Sequence, residues 1–212
     1  MTTELPALPF ALPPGQLDAL RTACATPPRA YHDFAHVREV LHHYGEIAAG
    51  PGWIQPREVA LAVLYHDAVY RAGQGDNEAR SAQLAVDEIQ RWLPEAGIDA
   101  ARVAWLIGLT ARHGRHAPAD FDADPAPEDV RNFLDCDMAI LGAGPERFDA
   151  YDEAIAVEYR SVMPAWLFRF NRRRFLESLL ARERIYLGEF FHARLERKAR
   201  RNLRRALSGQ PG

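Results

Sequence analysis

The sequence predicts an all-α protein, a compact bundle of about eight to nine helices. Three observations carry that prediction. Apolar residues recur at i, i+3, i+4 and i+7 along most of the chain, the spacing of one helix face. No segment alternates apolar and polar residues as a half-buried strand would. Helix start and stop residues fall at the edges of the periodic stretches. A chain of 212 residues is also long enough to bury a sizeable core.

The elements follow in order. Residues 1–13 contain three prolines and no periodicity, which predicts an extended N-terminal arm. Residues 14–207 read as a single helical domain, with no repeat or linker inside it. Helices are predicted over 14–25, 33–49, 56–71, 77–93, 99–113, 128–141, 145–161, 165–187 and 189–207. Asp33 and Asn77 stand where an N-cap side chain would accept from the first free N–H groups. Pro56 opens a helix, and Gly50 and Gly114 follow helix ends. The stretch 114–127, with three prolines, is a polar loop just past His113 and is expected to act as a lid.

Composition excludes several classes. No run approaches the ~20 apolar residues needed to cross a bilayer. The N-terminus lacks a basic segment followed by an apolar one, so no secretory signal is expected. Two widely separated cysteines, Cys24 and Cys136, argue for a reducing compartment, and a cytoplasmic location is the expectation. The net charge of −3 hides an asymmetry. Residues 1–168 hold 13 Arg against 25 Asp and Glu, a net of −12. Residues 169–212 hold 13 Lys and Arg against 4 Glu, a net of +9. One reading is a pair of solvated amphipathic helices. A second directs some of Arg169, Arg172, Arg173 and Arg174 at an anionic substrate, since guanidinium forks match phosphate oxygens. Nucleic-acid contact is disfavoured, because no aromatic platform or reading-head motif accompanies the charge. The acidic and basic parts also offer a way for chains to pair as a homo-oligomer.

Functional residues show as polar intrusions on apolar faces. His66 and Asp67 sit in the apolar run from Val59 to Tyr70, and His66 takes a core slot beside Val59, Ala62, Val63, Val69 and Tyr70. Asp67 lies about 100° further round and can still reach inward. A buried carboxylate without a partner costs several kcal/mol, so a divalent cation is the economical explanation. Asp137 interrupts the face of Val130, Phe133, Leu134, Ile140 and Leu141. Thr110 and His113 follow Val103, Leu106 and Ile107 on another, and His36 flanks the stripe of Val37, Val40, Leu41 and Tyr44, with His32 one turn earlier. Four helices that each spoil their own core face suggest one shared site. Asp135 falls off the apolar face, so Asp137 is favoured over it and a substitution at Asp135 is expected to be mild.

Several local strings, in order, resemble the HD-domain superfamily of metal-dependent phosphohydrolases, in its uncharacterised predicted-phosphohydrolase branch. They are Tyr31-His32-Asp33-Phe34-Ala35-His36, His66-Asp67-Ala68-Val69-Tyr70, Asp76-Asn77-Glu78-Ala79-Arg80-Ser81-Ala82, Thr110-Ala111-Arg112-His113 and Asp135-Cys136-Asp137-Met138-Ala139-Ile140-Leu141-Gly142. The resemblance spans roughly residues 29–205. It departs from the family at Asp33, where Asn is usual, and at Cys136, where Ala is usual; neither is a ligand position. It implies an HD-type helical bundle in which His36, His66, Asp67 and Asp137 hold one divalent metal ion.

Two imidazoles and two carboxylates suit Mn, Fe, Co, Ni or Zn and permit Mg. Such a site leads to the expectation of phosphate-ester hydrolysis with metal-bound hydroxide as nucleophile, on a small phosphorylated compound such as a nucleotide. Asp67, Glu78 and His113 are the catalytic candidates, with Glu78 as general base or as the group holding a ligand histidine. Thr110, His113, Arg172, Arg173 and His32 are the candidates for binding the substrate. His42, His43, His116 and His192 read as surface or loop residues. Two alternatives stay open: a catalytically inactive metal- or nucleotide-binding sensor, and two-metal oxidative chemistry of the kind some HD relatives perform, for which His32, Glu78 and His113 are the available extra ligands.

Overall fold

One helix is apolar on every side, and the rest are arranged around it. Val59 to Tyr65 are all buried, which a helix achieves only when neighbours surround it. This helix, α3 (Pro56–Tyr65), packs on α2 (Phe34–Ala49), α4 (Asn77–Trp92), α5 (Ala100–Leu109) and α6 (Pro127–Met138). Each fully buried Val or Leu of α3 contributes about 1.5–3 kcal/mol. Outside this centre, α1 (Pro14–Ala25) lies on α2, and α7 (Pro145–Tyr159) follows a 3-10 turn at Ala139–Gly142. Then α8 (Ala165–Leu180) pairs with α9 (Glu189–Ser208), which also covers α6 and that turn.

The computed structural model describes residue 5 and residues 7–209. Among the described residues the chain is all-helical, with nine α-helices and no strand. No described helix is long and apolar enough to cross a membrane. Of the arm expected over 1–13, residues 1–4 and 6 lie outside the described residues; Leu5, Leu8, Phe10 and Leu12 pack at the edge of the core. Both cysteines are buried and free.

The helix expected over 56–71 stops at Tyr65, because its last turn is closed by other groups. Ala68 N–H turns back to Tyr65 O at 3.0 Å. His66 Nδ1–H donates to Val63 O at 2.9 Å. The Arg29 guanidinium donates to Asp67 O at 2.6 Å and Ala68 O at 2.9 Å. Carbonyls that a longer helix would satisfy internally are thus met from outside. The same device shortens α8, expected to reach 187. Arg200 of α9 donates to Leu180 O, Arg182 O and Glu183 O and so closes the helix at Leu180. α5 also ends early, at Leu109, and passes into a 3-10 turn at Thr110–Arg112.

Asp33 caps α2 as expected, accepting from Ala35 N–H at 2.7 Å and His36 N–H at 3.3 Å. Asn77 is not a cap. It is the first residue of α4, and its side chain closes the preceding loop by accepting from Arg71 N–H and donating to Arg71 O.

Much of the charge asymmetry is resolved within the chain. Arg172 pairs with Asp152, Arg194 with Glu46 and Arg205 with Asp149, each joining the basic C-terminal helices to the acidic remainder. The exposed Arg194–Glu46 pair contributes at most about 1 kcal/mol.

Candidate metal centre

The ends of three helices deliver the polar cluster. His36 comes from the first turn of α2, His66 and Asp67 from the turn after α3, and Asp137 from the last turn of α6. Helix ends suit such a site because their free backbone groups allow a change of direction that aims neighbouring side chains at one point. His36, His66 and Asp137 are buried, and Asp67 is half-buried.

The Nε2 atoms of His36 and His66 face each other at 3.1 Å. Asp67 Oδ2 lies 3.4 Å from His36 Nε2 and 3.2 Å from His66 Nε2. Asp137 Oδ1 lies 3.2 Å from His36 Nε2 and 3.6 Å from His66 Nε2. Such separations suit donor atoms that each stand about 2.0–2.2 Å from one ion. His36, His66 and Asp67 form a group able to hold a metal ion.

The tautomer of His66 supports that fit. Its Nδ1–H is committed to Val63 O, so the neutral ring presents its Nε2 lone pair to the cluster. His36 is held differently. Its Nδ1 is buried without a hydrogen-bond partner, and the ring rests against Tyr31 with centroids 4.7 Å apart. Burial would lower the proton affinity of His36, but its hydrogen bonds to Asp137 and Asp67 outweigh this and raise its pKa to about 9. Burial likewise opposes ionisation of the two carboxylates. The charge of His66 beside Asp67, and of His113 beside Asp137, overcomes it and holds both carboxyls well below the usual range. The cluster therefore favours positive charge at its centre, and a cation there would displace protons from the imidazoles.

The residues singled out by sequence fall into three groups. His32, Glu78, Thr110 and His113 line, with Asp67 and Asp137, a cavity of about 560 Å³ beside the cluster. His113 Nδ1–H donates to Asp137 Oδ2 at 2.6 Å. Glu78 has no side-chain partner among the described residues. Thr110 is restricted, because its hydroxyl proton is committed to Ile107 O at 2.7 Å; it can accept from a substrate but not donate to a phosphate.

Among the four arginines, only Arg172 lines the cavity. Arg173 does not join it, since its side chain points outward and pairs with Glu177. Asp135 is not a surface residue. It is 1% exposed on the opposite side of α6, and its carboxylate accepts from Leu187 N–H at 2.8 Å and Gly188 N–H at 2.7 Å. A Cβ on Gly188 would sit 2.4 Å from Asn132 Oδ1, so only glycine lets the backbone approach this closely.

The loop 114–127 does not form a lid. Phe121 is buried, Asp124 takes a two-pronged bond from Arg102, and Arg131 donates to Pro118 O. It is fastened to α5 and α6, and none of its residues lines the cavity. The outer walls come instead from the loop at 70–75 and from α7 and α8.

Three contributors escaped the sequence reading. Arg29 gathers the carbonyls of Ala23, His32, Asp67 and Ala68, so one guanidinium ties the end of α1 and the His32 loop to the Asp67 turn. Ser81 Oγ both accepts from Val69 N–H and donates to Val69 O, pinning the chain after that turn. Glu158 of α7 is the third. Its Oε1 accepts from the backbone N–H groups of Ala30, Tyr31 and His32, and its Oε2 accepts from His32 Nδ1–H at 2.7 Å. The only local signal was Glu158 among the tyrosines of its helix.

Burial alone would raise the Glu158 carboxyl, but His32 and the backbone donors outweigh it and hold its pKa at about 2, below the ordinary 4.5. A carboxyl depressed on folding stabilises the protein fully above its unfolded pKa and loses that contribution as pH falls. Wild-type stability should therefore drop between pH 4.5 and about 2 more steeply than that of Glu158→Gln, measured by denaturant unfolding. Parallel profiles would show that the Glu158 clamp contributes nothing.

No protein-family model, no curated protein and no solved structure matches this chain. Its fold and site define it as an all-helical protein with a buried histidine-aspartate cluster able to hold a metal ion.

Proposed function

We propose that the protein is a metal-dependent hydrolase of phosphate esters, of the HD type that its motif order resembles, with Asp137 as fourth ligand beside His36, His66 and Asp67. The observation that carries this reading is the convergence of two imidazoles and two carboxylates, the carboxylates lining a cavity large enough for a small organic phosphate. A divalent ion held there would polarise a phosphoryl oxygen and acidify water.

The chain's own groups supply the rest. Glu78, an unpartnered carboxylate on the cavity wall, is placed to take a proton from the attacking water. His113 gives its Nδ1–H to Asp137, whose charge also favours the imidazolium, and in that form its Nε2–H would pass a proton to the leaving oxygen. Asp137 thereby orients His113 as well as the cluster. Tyr70, Tyr159 and Phe168 make part of the wall apolar, which suits an organic moiety on the ester. A nucleotide is one such compound.

Elemental analysis of the purified wild-type protein, followed by a panel of phosphate esters assayed with the metal found, tests this reading. About one ion per chain and turnover of at least one ester class are expected. Absence of metal after reconstitution with Mn, Fe, Co, Ni, Zn and Mg would overturn it, as would full metal occupancy without turnover of any ester.

A further inference from the structure

Arg172 combines three features that the hydrolase reading leaves unused. It lines the same cavity as Asp67 and Asp137. Its guanidinium is held in place: Nε donates to Asp152 Oδ1 at 2.8 Å, and the group lies against the rings of Tyr151 and Phe175 at 4.9 and 5.4 Å. Its terminal Nη2 is buried without any hydrogen-bond partner. A buried donor left unpaired is costly and calls for an explanation. A guanidinium fixed on two aromatic faces at the wall of a cavity has the form of an anion-binding group.

Its position says which anion. Tyr151 and Tyr31 link Arg172 to the ligand cluster ring by ring. Tyr151 lies 4.7 Å from Tyr31, and Tyr31 lies 4.7 Å from His36. Two tyrosine rings thus lie between Arg172 and His36, and the Arg172 guanidinium pairs with Asp152 rather than with Asp67 or Asp137, the carboxylates that the cluster presents to the same cavity. We infer that the cavity has a second recognition point, in which Arg172 binds an anionic group, carboxylate or phosphate, that the substrate carries away from its scissile phosphate. This rests on the phosphate-ester reading for the location of that phosphate. The natural ligand is then a doubly anionic organic phosphate, and Arg172 determines specificity.

Non-hydrolysable probes test this by calorimetry on the full-length protein. Benzylphosphonate carries one anionic group, 4-carboxybenzylphosphonate adds a carboxylate, and 1,4-xylylenebisphosphonate adds a second phosphonate. The wild-type protein should bind at least one doubly anionic probe about tenfold tighter than benzylphosphonate. Whichever is tighter identifies the chemistry of the second group. R172Q should erase the preference, weakening the favoured doubly anionic probe about tenfold more than benzylphosphonate, and R172K should keep part of it as a point charge. D152N, which removes the competing carboxylate, should preserve or enlarge it. The inference is overturned if wild type shows no preference or binds no probe, if the preference survives in R172Q, or if R172Q weakens all three probes equally. Metal content and ester turnover are read separately, so an inert protein that keeps the R172-dependent preference would sink the hydrolase reading and leave this one standing.

Discussion

Asp67→Ala and Asp137→Ala are each expected to purify without metal and to hydrolyse no phosphate ester, with wild-type helical content retained. Each removes one oxygen donor lying 3.2–3.6 Å from both facing imidazoles. Loss of a group that merely orients a ligand typically costs 10–100-fold in metal affinity, and loss of a ligand should cost more. The fold should survive because, among the described residues, the two carboxylates meet only histidine side chains and no backbone group. Asp137→Ala should also release His113, whose Nδ1–H the aspartate accepts at 2.6 Å. The measurement is elemental analysis beside circular dichroism and the ester panel. A fully metallated, active Asp67→Ala protein would overturn the site assignment.

Asp135→Ala should show the opposite pattern, with metal retained and stability lost. The two aspartates are two residues apart on α6 and face different surroundings. Asp135 is buried against the start of α9, where it accepts from the Leu187 and Gly188 backbone N–H groups. Burial pushes its carboxyl well above the usual range, although those two donors pull the other way. Alanine would leave both N–H groups buried and unpaired, a loss of about 2–5 kcal/mol, a large share of the roughly 5–15 kcal/mol that holds a typical domain together. Asp135→Asn keeps one acceptor and should fall in between. Denaturant unfolding measures the effect. A loss under about 1 kcal/mol would restore the mild outcome that the helical pattern alone had suggested.

That contrast shows where sequence reading reached and where it stopped. Asp137 was legible because a carboxylate in a slot otherwise filled by Val130, Phe133 and Leu134 stands out against the helical period. Asp135 was misread by the same period. It is off the apolar stripe, yet α9 covers that side of α6, and nothing in residues 127–138 announces the covering helix. The expected lid failed for a similar reason. Its prolines mark an irregular path, but Phe121 is buried, Asp124 pairs with Arg102 of α5, and the carbonyl of Pro118 accepts from Arg131 of α6.

By itself the sequence determined the helical class, the order and approximate extent of the helices, and the polar positions that break their apolar faces. These are local properties, written in spacings of three and four residues and in capping side chains such as Asp33. Tertiary structure alone decided which polar residues meet. It set His36, His66, Asp67 and Asp137 around one point, ended α3 at Tyr65 through Arg29, turned Arg172 but not Arg173 toward the cavity, and clamped the His32 loop with Glu158. Each of those outcomes depends on a donor and an acceptor distant in the chain, or on which face a neighbouring helix covers. The helical period records which face is apolar; what arrives against it is settled only when the helices pack.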